Sequence, residues 1–104
     1  MSASILYITA KNRRQATAIG RALVNERLAA CVNILGPIHS IYRWKGAVGE
    51  AGEVAFVAKT KNTLVKKAIS RIRALHSYEC PCVVALPITQ GNPAYLSWID
   101  DETA

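Results

Sequence analysis

The sequence predicts an α+β domain in which two helices lie on one face of a four-stranded antiparallel sheet. Two observations lead there. Apolar periodicity changes along the chain in the order strand, helix, strand, strand, helix, strand, with a short helical segment after the last strand. Between the two main helical segments, Ala29 to Thr60 reads as one long β-hairpin. The 104 residues contain no internal repeat, low-complexity run or linker, so residues 1–104 form a single domain.

Ser4 to Thr9 is short, apolar and β-branched at alternate positions, which predicts a buried strand. Asn12 with Gln15 three residues later resembles a capping box. It opens a helix over Arg13 to Leu28, in which Ala16, Ile19, Leu23 and Arg27 or Leu28 recur at helical spacing. The hairpin's first arm is Ala29 to Trp44, bent at Gly36-Pro37, and its second is Glu53 to Thr60. Between them Lys45 to Gly52 carries three glycines and is expected to be a mobile tip. Asn62 or Thr63 caps a second helix that buries Val65, Ala68, Ile69, Ile72 and Leu75 and stops near His76-Ser77, ahead of Pro81. Val83 to Ile88 is a further strand, and Ala94 to Asp100 a short docked helix. The compact arrangement of this order is the ferredoxin-like sandwich, with a protruding hairpin and a C-terminal helix added.

The hairpin outruns its cover. A strand from Ala29 to Trp44 at about 3.3 Å per residue reaches roughly 50 Å, against roughly 26 Å for a helix of about 17 residues. Ile38, Ile41, Tyr42 and Trp44 are therefore expected on an arm that the rest of the chain leaves bare. An uncovered apolar ribbon is an association surface, so an obligate homo-oligomer is expected.

The formal charge is +6. Residues 1–25 and 54–78 hold basic side chains and no acid, which reads as two solvated helix faces. The sharper alternative is an anion-attracting surface for nucleic acid or a phosphorylated small molecule. The aromatic ribonucleoprotein pattern is absent, and nucleic acid is not an expected partner. No apolar run is long enough to cross a membrane. An odd set of cysteines, Cys31, Cys80 and Cys82, and no signal-peptide pattern point to a reducing cytoplasm. No phosphate loop, Cys-x-x-Cys pair or nucleophile elbow occurs, so no enzyme activity is expected.

His76-Ser77-Tyr78-Glu79-Cys80-Pro81-Cys82 is the densest cluster of reactive side chains. In an extended segment Cys80 and Cys82 project to one side, and with His76 they offer a soft three-ligand site for monovalent copper or zinc. The alternative is two small buried thiols and a helix-ending histidine. Cys31 lies in an apolar run and reads as structural; His39 has no second ligand near it in sequence. Glu53 and Lys59 bound one strand on one face, as a structural ion pair or with Lys59 as an anion anchor.

Taken together, AACVN at 29–33, SIYRWKG at 40–46, Glu53, KT at 59–60, His76-x-Tyr78-x-x-Pro81, LPI at 86–88 and YLSWI at 95–99 resemble the CutA family, named for divalent-cation tolerance. The resemblance spans the chain. It implies a tight homotrimer held by the hairpin and terminal segments, and binding of copper or another divalent metal. A thiol found in some members falls on Ile8 here and a histidine on Leu75, while Ser77 stands for the usual Pro and Cys82 for the usual Glu. The expected metal ligands are His76, Cys82 and Cys80. The second reading is a small-ligand sensor or scaffold resembling PII-type signalling trimers, with a cleft between subunits. Tyr42, Trp44 and Lys59 would line that cleft, and Glu53, Tyr78 and Trp98 are expected there or in the trimer interface.

Overall fold

A computed structural model describes residues 2–104. Its elements are β1 (Ala3–Ala10), α1 (Arg13–Asn25), β2 (Cys31–Trp44), β3 (Ala47–Lys61), α2 (Val65–Leu75), β4 (Val83–Ile88) and α3 (Pro93–Asp101), with a 3-10 turn at Asn62–Leu64 ahead of α2. The four strands form one antiparallel sheet in the order β2-β3-β1-β4. The expected ferredoxin-like order is therefore present.

Pairing sorts the side chains into two faces. Val83, Ile8, Phe56 and Ile34 are aligned across the sheet, as are Leu6, Ala58 and Val32. These rows meet Ala16, Ile19 and Leu23 of α1 and Ala68 and Ile72 of α2 in the main core, where Phe56 is fully buried. The opposite face carries Leu86, Ile5, Lys59 and Cys31 in one row and Val84, Tyr7, Val57 and Asn33 in the next. One end of that face is covered by α3, whose Ile99 packs with Ala3 and Ala30.

Between Ile34 and Gly36 the β2–β3 register slips by one residue, leaving Leu35 unpaired and exposed. A bulge of this kind reverses which parity faces the core. Before it, Val32 and Ile34 point to the helices. After it, Ile38, Ser40, Tyr42 and Trp44 share the face of Glu53 and Ala51, away from them.

Three expectations need correction. The glycine-rich segment is not a mobile tip, because pairing continues to Trp44 and Ala47 and leaves only Lys45 and Gly46 in the turn. Both have positive φ, 49° and 83°, the geometry of a two-residue type I′ turn that matches strand twist. Helix α1 ends at Asn25 rather than Leu28, since Arg27 takes φ 59° and the Leu28 N–H turns back to the Leu23 carbonyl. Arg27 is then exposed and donates to the Asp101 carbonyl at 3.0 Å, while the Ala104 N–H donates to the Arg27 carbonyl. Asn62 does not cap α2, because its side chain is engaged by the Ser4 hydroxyl across the sheet end. The Asn12 cap of α1 forms as expected, accepting from the Gln15 N–H at 2.9 Å.

The Lys45-Gly46 turn gives a direct check. Gly46→Ala is expected to cost about 1–2 kcal/mol, because a Cβ at positive φ meets the backbone. Lys45→Asn is expected to stabilise by about 0.5 kcal/mol, as asparagine tolerates the left-handed region. Urea unfolding at fixed protein concentration measures both, and two neutral substitutions would mean that the turn is open.

Candidate functional site

The bulge and the turn place a cleft of about 440 Å³ between the hairpin and the segment linking α2 to β4. One wall is Ser40, Tyr42, Arg43, Trp44, Ala51 and Glu53 from the hairpin. The other is Tyr78, Glu79, Cys80 and Cys82, with Thr9 contributing at the end of β1. On the hairpin wall the Tyr42 ring lies over Gly49, its cross-strand partner, where a Cβ would come within 3.0 Å of the ring. The glycine lets the ring lie flat.

His76 braces the opposite wall. Its Nε2–H donates to the Thr9 carbonyl at 2.7 Å, and its Nδ1 accepts from the Tyr78 N–H at 3.1 Å. Because a carbonyl can only accept and an N–H only donate, these two bonds fix the neutral Nε2–H tautomer. The ring is buried, and it stacks at a tilt on Tyr78. Further along the segment, the Thr9 N–H donates to the Cys82 carbonyl at 3.4 Å. Across the cleft the Tyr78 hydroxyl donates to Glu53 Oε2 at 2.9 Å. At the mouth, Lys45 and Glu79 form an ion pair at 3.4 Å with both side chains largely exposed, so it adds little stability.

The sequence-expected residues divide into three groups. Tyr42, Trp44, Glu53, Tyr78, Cys80 and Cys82 come together in the cleft, although they arise from distant parts of the chain. His76 stands behind the wall, with both ring nitrogens engaged by backbone groups. Among the described residues no group of three or more His, Cys, Asp or Glu side chains is placed to hold a metal ion, so the set of His76, Cys80 and Cys82 does not assemble. The two thiols themselves are free and exposed.

Lys59 and Trp98 lie elsewhere, at the α3 end of the same sheet face. Lys59 donates to Asn33 Oδ1 at 3.1 Å and sits over the Tyr95 ring, which packs against Trp98. Cys31 faces the Tyr95 hydroxyl at 3.3 Å, and this contact, ahead of burial, raises the Tyr95 phenol. Lys59 shares a face with Glu53, as parity indicates, but six residues of strand at about 3.4 Å each hold them roughly 20 Å apart. His39 does have a partner, Glu50 at 2.7 Å across the hairpin. The sequence also left Ser40, Arg43 and Glu79 out of the cleft. Ser40 was accessible by parity with Tyr42 and Trp44, whereas Arg43 reaches the mouth by length and donates to the Gly46 carbonyl.

Burial, then the facing Glu53 carboxylate, pushes the Tyr78 phenol up to about 12. An unfolded tyrosine titrates near 10, so this group's contribution is fully present below about pH 10 and is lost as pH rises through about 12. Phenolate absorbance during alkaline titration is expected to show, besides the raised Tyr95, a late step at about 12 among the four tyrosines, which Glu53→Gln is expected to bring down. Loss of the late step is likewise expected for Tyr78→Phe; its persistence would place it on another tyrosine.

The family model described as CutA1 divalent ion tolerance protein matches residues 4–102. The chain is 46% identical over 99 residues to the divalent-cation tolerance protein CutA of Thermus thermophilus, covering 95% of this chain and 96% of that protein. It is 45% identical over 102 residues to Protein CutA of Mus musculus, but the match covers 98% of this chain and 58% of the mouse protein. Among solved structures, the Thermus thermophilus divalent cation tolerance protein superposes with a TM-score of 0.95 at 44% identity, covering 98% of this chain and 99% of that one. CutA from Xylella fastidiosa gives 0.96 at 38% identity, with 100% of both chains covered. Sequence match over nearly the whole length and superposition of the whole fold agree, and the chain belongs to the CutA1 divalent-ion tolerance family.

Proposed function

We propose that the chain acts in cation tolerance as a homotrimer that binds a copper-type ion through Cys80 and Cys82, without His76. The observation that carries the metal assignment is the pair of exposed free thiols on the cleft wall, beside a histidine whose nitrogens are both engaged. Two thiolates suit monovalent copper, which is soft, better than zinc, which takes four donors in a structural site. Assembly is supported by the sheet face opposite the main helices, where Leu35, Val84 and Leu86 are 62%, 51% and 54% exposed. Apolar side chains aligned on one sheet face gain about 25 cal/mol per Å² when a second copy covers them. Free thiols fit a reducing compartment such as the cytoplasm.

Native mass spectrometry of the reduced protein, titrated with copper(I) and zinc, tests both parts. A trimer that takes up copper(I), loses it in Cys80→Ser/Cys82→Ser and keeps it in His76→Gln is expected. Copper retained by the double serine variant would overturn the site, and a monomer would overturn the assembly.

The size of the cleft and its two aromatic walls favour a second reading, a small-ligand sensor or scaffold. A saturable change in tryptophan fluorescence with a small anionic metabolite is expected on that reading, lost in Trp44→Phe. No change across a panel of such metabolites would exclude it.

A further inference from the structure

Six of the cations that form no ion pair among the described residues lie on α1 and α2, whereas Lys11, Arg27, Arg43 and Lys59 lie elsewhere. Arg13, Arg14 and Arg21 of α1 and Lys66, Lys67 and Arg73 of α2 are all exposed, and none takes part in an ion pair among the described residues. The two helices pack side by side over the sheet, so blocks of sequence separated by some forty residues become one layer. Its nearby acid, Glu26, is held by Arg71 in a two-pronged pair at 2.9 and 3.0 Å. Neither helix has an acid in its first turn to offset the positive end of its dipole.

Within each helix the cations are ordered. Arg14 and Arg21 are two turns apart, as are Lys66 and Arg73, so each pair lines one side of its helix about 10 Å apart. Measured along a duplex axis, that separation is about three base-pair rises of 3.4 Å each. The chemistry of the layer also narrows its partner. Neither α1 nor α2 contains an aromatic residue on which an unpaired base could stack. Large exposed apolar side chains are confined to Val24 and Leu75, near the helix ends, too few to anchor in a lipid surface.

We infer that the α1–α2 layer is a docking surface for double-stranded nucleic acid, gripped through its phosphates and without reading sequence. The sequence offered such a surface only as the sharper alternative to two solvated helix faces, and the absent ribonucleoprotein pattern argued against nucleic acid. The surface is separate from the cleft and from the apolar sheet face, so the inference stands apart from the metal and trimer readings.

The test is fluorescence anisotropy of a short labelled DNA duplex with the full-length protein. Binding is expected at low salt, weakening about a thousandfold between about 50 and about 200 mM salt if some six phosphates are neutralised. Arg14→Glu/Arg21→Glu and, independently, Lys66→Glu/Arg73→Glu are each expected to weaken it at least about tenfold and flatten the salt slope. Lys45→Gln on the hairpin is expected to leave it unchanged. All these side chains are exposed, and circular dichroism verifies folding. Absence of duplex binding at low salt, affinity that survives both charge reversals, or binding to phosphatidylglycerol vesicles with none to duplex would overturn the inference.

Discussion

The register between β2 and β3, with one unpaired residue at Leu35, is the constraint on which the rest of the molecule depends. A hairpin in perfect alternation would keep the parity of Val32 and Ile34 to its tip, and Tyr42 and Trp44 would then face the helix side. The slip exchanges the faces at the point where the strands leave the domain. The distal hairpin thus turns its aromatic side chains towards the segment that follows α2, and a cleft exists at all. The tight turn at Lys45-Gly46 preserves that alignment to the end of the arm.

The second wall of the cleft is fixed by hydrogen bonding rather than by packing. Cys80 and Cys82 are exposed, and the segment that carries them belongs to no helix or strand until Val83. It is held by His76 to the end of β1 and by Tyr78 to Glu53 on the hairpin. An imidazole that satisfies one carbonyl and one N–H in a buried place is a strut, and breaking either bond leaves a buried backbone group without a partner. The same commitment withdraws its lone pair from metal coordination. The two thiols of the same segment remain free.

The two sides of the sheet differ in what they offer the surroundings. One side is apolar and partly bare, closed at one end by α3. The other is roofed by two helices whose outer surface is basic and almost free of acid. Apolar surface favours burial against a second copy, whereas like charges repel one another and remain in water. Self-association through the sheet would leave the basic layers facing outward.

The sequence by itself determined the elements and much of their meaning. Periodicity located the elements within a few residues except β3, which begins at Ala47 rather than Glu53, the Asn12 cap was legible as a capping box, and the ordered motifs identified the family. Glu53, Tyr78, Tyr42 and Trp44 stood out before any coordinates. Tertiary structure decided which of these residues meet. Lys59 has the parity of Glu53 but lies at the far end of the strand, and His39 finds Glu50 only across the hairpin. The Gly49 and Gly52 that looked like loop are strand, because pairing to a long partner outweighs glycine's weak strand preference. His76 looked like a ligand because sequence shows a side chain but not its hydrogen-bond partners. Those partners come from backbone groups far away or unremarkable in sequence, and only the folded chain brings them within 3.1 Å.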